Sequence, residues 1–115
     1  MNRRAELDSL MPEQDNEGYL LDPGAWSRAL APLLAHEDGL TLSPAHWRVI
    51  GFIRAWYGET ESVPEARRVI QHLAATDGDK RAAKQALYEW FPHGYGQQAC
   101  RIAGMRKPLK LMLDI

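Results

Sequence analysis

Apolar residues recur at the spacing of a helix face in four successive stretches, each opened by a capping residue and closed by a chain breaker. Asp22-Pro23 opens the first. An aspartate there accepts from free amides, and proline suits the first helical position because its missing N–H would be unpaired anyway. Trp26, Leu30, Leu33 and Leu34 follow at helical spacing, and Gly39 supplies a stop. Ser43-Pro44 repeats the start signal before a stripe of Trp47, Ile50 and Ile53/Arg54, with Gly58 as the expected end. Ser62 and Pro64 open a third helix, with Val69, Ile70 and Leu73 apolar, that closes near Asp77-Gly78. Asp79 caps a fourth containing Ala83, Leu87, Tyr88 and Trp90. Pro92, Gly94 and Gly96 break the chain, and a short helix from about Gln97 to Ala103 ends at Gly104.

Outside these helices the pattern weakens. Residues 1–14 have little periodicity and are expected to be a flexible lead-in. Asp15-Asn16-Glu17-Gly18 is a turn signal, and Tyr19-Leu20-Leu21 behind it suits a short strand. Residues 105–115, with Pro108 among them, read as an extended C-terminal arm. The expected organisation is one helical domain over 15–104 with a tail at each end. The fold class is mostly α, a small orthogonal bundle of about five helices.

Composition agrees with one soluble domain. The chain has 115 residues, 45% hydrophobic and 25% charged, with a formal net charge of -1. No apolar run approaches the roughly 20 residues that span a bilayer, and the start lacks the apolar stretch of a secretory signal. One cysteine, Cys100, excludes an intramolecular disulfide and a multi-cysteine zinc site. A cytoplasmic location is the expectation. Acidic residues crowd before about Ser62 and basic ones follow, from Arg67 to Lys110. That split either orients a partner or is simply solvated surface. His36, His72 and His93 are scattered without ligand-spaced partners, so no metal site and no cofactor are expected.

Several segments, taken in order, resemble the DsrC/TusE family of sulfur carriers, which act in tRNA thiolation and sulfite-reductase chemistry. Glu17-Gly18-Tyr19-Leu20 with Trp26 downstream is similar to the family's opening, and Gly39-Leu40-Thr41-Leu42-Ser43-Pro44-Ala45-His46-Trp47 to its most recognisable stretch. Arg54, Tyr57, Pro64 and Arg67 keep its spacing. Tyr88, Phe91, Pro92 and Gly94 lead into Gln98-Ala99-Cys100-Arg101-Ile102-Ala103-Gly104 and Lys107-Pro108. The resemblance implies a compact helical fold with a short N-terminal β-hairpin and a mobile C-terminal arm. It also implies a cysteine near the chain end that receives sulfur as a persulfide, and in some members a second cysteine eleven residues upstream.

Cys100 falls on the upstream position, and Leu111 occupies the terminal one. Leucine offers no thiolate to attack a persulfide, and the thioether of Met112 cannot form one. The family's usual lysines before the short helix are replaced by His93 and Gln97, and a proline by Arg106. Cys100 is thus the sole candidate sulfur nucleophile. It is either an activated thiol near a helix start beside Arg101 and Lys107, or a small buried residue beneath the arm. Arg101, Arg106 and Lys107 are the candidate partner-binding residues.

Three functions follow as expectations. The first is a persulfide carrier, sulfurtransferase-like, using Cys100. The second is a non-catalytic partner-binding or regulatory relative. The third is a helix-turn-helix DNA-binding protein built on Ser43–Phe91, which the net charge disfavours. Expected partners are sulfur-relay proteins or a sulfite-reductase-like or tRNA-thiolating enzyme, with neither membrane nor direct nucleic-acid contact. Ser43 and His46 are read as helix-start residues and Trp26, Trp47, Trp56 and Trp90 as core anchors.

Overall fold

The computed structural model describes residues 11–108. A 3-10 turn, Pro23–Ala25, precedes α1 (Leu30–Glu37), α2 (Pro44–Thr60), α3 (Ala66–Asp77) and α4 (Lys80–Trp90), and a π-helical segment, Tyr95–Cys100, follows. The fold is mostly helical, as the periodicity predicts. No helix among the described residues is long and apolar enough to cross a membrane.

Start signals behave as their chemistry requires. Asp22 accepts from the Gly24 amide at 2.9 Å and Asp79 from Arg81 at 2.9 Å. At the head of α2, the Ser43 hydroxyl accepts from the His46 amide, and His46 Nδ1 accepts from the Ser43 amide at 3.0 Å. That reciprocal box satisfies two helix-start donors. Because Nδ1 accepts, the ring proton lies on Nε2, which donates to the Trp90 carbonyl at 2.8 Å. His46 therefore ties the start of α2 to the end of α4. At the end of α1, Gly39 adopts φ 73, and the Gly39 and Leu40 amides return to the His36 and Ala35 carbonyls.

Three boundaries differ from the sequence expectation. The first helix is split: Trp26 is extended at ψ 146, and regular α-helix begins only at Leu30. Its indole is claimed by the far end of the chain, which overrides local propensity. Helix α2 runs through Gly58 to Thr60 and ends at Glu61, with φ 57. There the Thr60 hydroxyl takes the Trp56 carbonyl at 2.8 Å and closes the last turn. Helix α3 starts at Ala66 without a side-chain cap, and just before it the Tyr95 hydroxyl donates to the buried Pro64 carbonyl at 2.6 Å.

The β-hairpin is corrected to a single antiparallel bridge, Gln14 to Leu20, with no strand among the described residues. The Asp15 carboxylate accepts from the Glu17 and Tyr19 amides at 2.8 and 3.0 Å, curling the segment before a ladder extends. Tyr19 and Leu20 are both buried, against the alternation of a half-exposed strand. Of the lead-in, residues 1–10 lie outside the described residues, while Met11 packs against the core.

The core gathers Leu34, Val49, Ile50, Ile53, Val69, Leu73, Leu87 and Phe91. It continues through Tyr95, Ala99, Cys100, Ile102 and Met105, so the π-helical segment is core rather than appendage. Trp26, Trp47 and Trp90 pack half-buried against it, and Trp56 stands beside Phe52.

Candidate functional site

Everything the sequence nominates for chemistry lies between the π-helical segment and Pro108, and its geometry begins with Gly104. This residue turns the chain at φ 79, and a Cβ placed on it would run into the Trp26 ring. Only glycine meets both demands. Beneath the turn, Trp26 Nε1 donates to the Ile102 carbonyl at 2.9 Å. Arg54 reaches from α2, donating to the Pro23 and Ala103 carbonyls at 3.1 and 3.2 Å. Its guanidinium carbon lies 4.6 Å from the Trp26 ring centroid. Arg54, Trp26 and Gly104 form a clamp that fixes where the C-terminal segment leaves the core. Arg54 was legible as an arginine inside an apolar stripe and at the spacing of the family it resembles, and the structure shows it half-buried with its carbonyl partners in place.

Cys100 precedes that turn in the chain and is fully buried. Burial pushes its thiol up to about 12, opposed in part by a hydrogen bond with Tyr95. Tyr95 is raised as well, by burial first and by Cys100 next. The Met105 amide donates to the Cys100 carbonyl at 3.0 Å, and Met105 is fully buried. In this conformation the thiol is protonated at neutral pH and has no path to a donor. Of the two readings open for Cys100, the geometry shown is that of a core residue.

The three candidate cations separate. Arg101 is 6% exposed and acts as an internal strut. Its guanidinium bridges Glu37 at 3.0 Å, Asp38 at 2.6 Å and the Leu34 carbonyl at 3.1 Å, while Nε donates to the Gln97 carbonyl at 3.2 Å. Those bonds compensate the cost of burying its charge and neutralise the carbonyl end of α1. Arg106 is exposed beside Pro23, Tyr57 and Glu61. Lys107 is exposed and pairs with Glu17 at 2.6 Å, which raises its ammonium. Leu111 lies outside the described residues. Among the described residues no group of three His, Cys, Asp or Glu is placed to hold a metal ion.

The model of DsrC like proteins matches residues 6–112. The chain belongs to the DsrC/TusE family. It is 39% identical over 105 residues to sulfurtransferase TusE of Yersinia pseudotuberculosis, covering 91% of this chain and 97% of that one. To sulfurtransferase TusE of Escherichia coli strain K12 it is 40% identical over 98 residues, 85% and 90% of the two chains. Among solved structures it is similar to DsrC of Allochromatium vinosum, with TM-score 0.72 and 36% identity over 83% of this chain and 85% of that one. It is also similar to the oxidised gamma-subunit of the dissimilatory sulfite reductase (DsrC) from Archaeoglobus fulgidus, with TM-score 0.74 and 28% identity, covering 84% of this chain and 89% of that one. For a DsrC/TusE member, a closed Cys100 under a fixed arm root is the feature that needs a functional account.

Proposed function

We propose that this chain is a cytoplasmic sulfur-relay protein, of the tRNA-thiolating or sulfite-reductase-associated kind, that works in its resting form by docking relay proteins. The observation that carries this is the near-full-length match to proteins named sulfurtransferase, combined with a thiol that is 0% exposed. A relay thiol must be ionised and reachable to take sulfur from a persulfide. Cys100 is neither, whereas Arg106 and Lys107 present charge at the surface beside the clamp. Arg101 serves this surface from beneath, holding the π-helical segment against the end of α1.

A second reading has its own support. Cys100 is joined through its carbonyl to Met105, just beyond the Gly104 turn, so opening the clamp would uncover the only sulfur nucleophile in the chain. In that form its thiolate attacks the outer sulfur of a donor persulfide, the donor thiolate leaves, and Cys100 holds the persulfide.

One experiment separates the two. The full chain is incubated with a cysteine desulfurase and relay proteins of the same cell, then its intact mass is measured and partner capture is scored for the wild type, Cys100→Ala and a chain lacking 105–115. Docking predicts capture by wild type and Cys100→Ala alike, loss on truncation, and no added mass. A gain of about 32 Da on Cys100, one sulfur atom, establishes the carrier instead. Loss of capture in Cys100→Ala sinks the docking reading.

A further inference from the structure

Where the chain leaves the clamp, Pro23, Tyr57, Glu61, Ser62, Val63 and Arg106 line a cavity of about 210 Å³. Its walls are anchored from several sides. Arg54 donates to the Pro23 carbonyl at 3.1 Å, and its guanidinium carbon lies 5.9 Å from the Tyr57 ring centroid. Glu61 closes α2 with its amide on the Tyr57 carbonyl at 2.7 Å, and the Thr60 and Ser62 hydroxyls bond to each other at 2.8 Å beside it. On the other side, Arg106 stands between the fully buried Met105 and Lys107, which is tied to Glu17 at 2.6 Å.

The cavity holds two opposite charges that folding leaves unused. Glu61 and Arg106 both line it, yet among the described residues they form no ion pair with each other or with any other side chain. Arg106 is also particular to this chain, standing where the family usually has a proline. Charge then selects the guest. A simple anion on Arg106 would face Glu61, and a simple cation on Glu61 would face Arg106. An apolar guest would strip water from both charges without compensation. A molecule that carries both charges a short distance apart satisfies both walls at once. The volume equals that of about seven water molecules, at about 30 Å³ each. Pro23, Val63 and the Tyr57 ring give such a guest an apolar surface for a small side chain.

We propose that this cavity binds a free α-amino acid with a small side chain, its carboxylate on Arg106 and its ammonium on Glu61. The ligand bridges the end of α2 and the residue after Met105, so it ties the root of the C-terminal segment to the domain. The site needs no sulfur chemistry and no protein partner, and it stands independently of the docking role.

The test titrates L-alanine into the full chain labelled with nitrogen-15. Saturable amide shifts are expected at Gly24, Glu61, Val63 and Arg106, with a Kd of about 1 mM or somewhat weaker. Two analogues each lack one charge: L-alanine amide has no carboxylate, and N-acetyl-L-alanine has no ammonium. Each should bind about fivefold more weakly than L-alanine, the scale of one ion pair. Two variants assign the charges. In Arg106→Met, L-alanine and its amide should bind equally; in Glu61→Gln, L-alanine and N-acetyl-L-alanine should do so. Both residues are exposed, so the rest of each spectrum should report an intact fold. Shifts that rise linearly without saturation overturn the proposal. So does wild-type binding of either analogue as tight as that of L-alanine, or a preference for L-alanine that persists unchanged in both variants.

Discussion

Replacing Gly104 with alanine tests the clamp where its geometry is tightest. Two costs add. An L-residue at φ 79 gives up about 1 kcal/mol of backbone preference. The new Cβ also forces the Trp26 ring aside, which breaks its bond to the Ile102 carbonyl and its contact with Arg54. Those are worth about 1 and about 0.5–1 kcal/mol. The sum is a loss of about 2.5–3 kcal/mol, a Tm lower by about 10–15 °C for a domain of this size. Gly78→Ala is the matched control: its φ is 86 and nothing lies within 4 Å of the added carbon, so only the backbone cost of about 1 kcal/mol applies. Urea unfolding followed by tryptophan fluorescence measures both variants, and the rate of Cys100 reaction with a disulfide reagent gives an independent readout. Gly104→Ala should speed that reaction, and Gly78→Ala should leave it nearly unchanged. Equal destabilisation by the two variants, with equal thiol rates, would refute the clamp.

Two further outcomes follow from the same contacts. Arg54→Met should cost about 2–3 kcal/mol in urea unfolding, because two carbonyls lose a charged donor and Trp26 loses its cation. Arg54→Lys, with one compact ammonium in place of a fork, should recover only part of it. Cys100, held at about 12 in the fold, stays protonated where an unfolded thiol of about 8.5 ionises. Its stabilising effect is complete below about pH 8.5 and is lost as pH rises toward 12, by at most about 1.4 kcal/mol per pH unit. Cys100→Ala should therefore flatten the stability curve between about pH 8.5 and 10. The comparison stops there because Tyr19 and Tyr95, also raised, act in the same direction at higher pH. An unchanged slope in the variant would show that the thiol is not closed.

Local chemistry determined the helical segments. Asp22, Ser43 and Asp79 cap where their side chains reach nearby amides, and Gly39 and Gly78 end helices by adopting positive φ. Such signals act over a few residues, so they survive in the sequence unaided. The order of motifs identified the family, and the absence of sulfur at Leu111 was equally plain. Tertiary structure alone decided what lies across the fold. Trp26 breaks the first helix to reach Ile102, 76 residues away, and Arg101 turns inward to the end of α1. Asp15 holds the Glu17 and Tyr19 amides in a tight turn, and pairing stops at the single Gln14–Leu20 bridge. Above all, Cys100 is a core residue, packed in one cluster with Tyr95, Ile102 and Met105, and burial, which depends on every neighbour at once, sets whether a thiol can react.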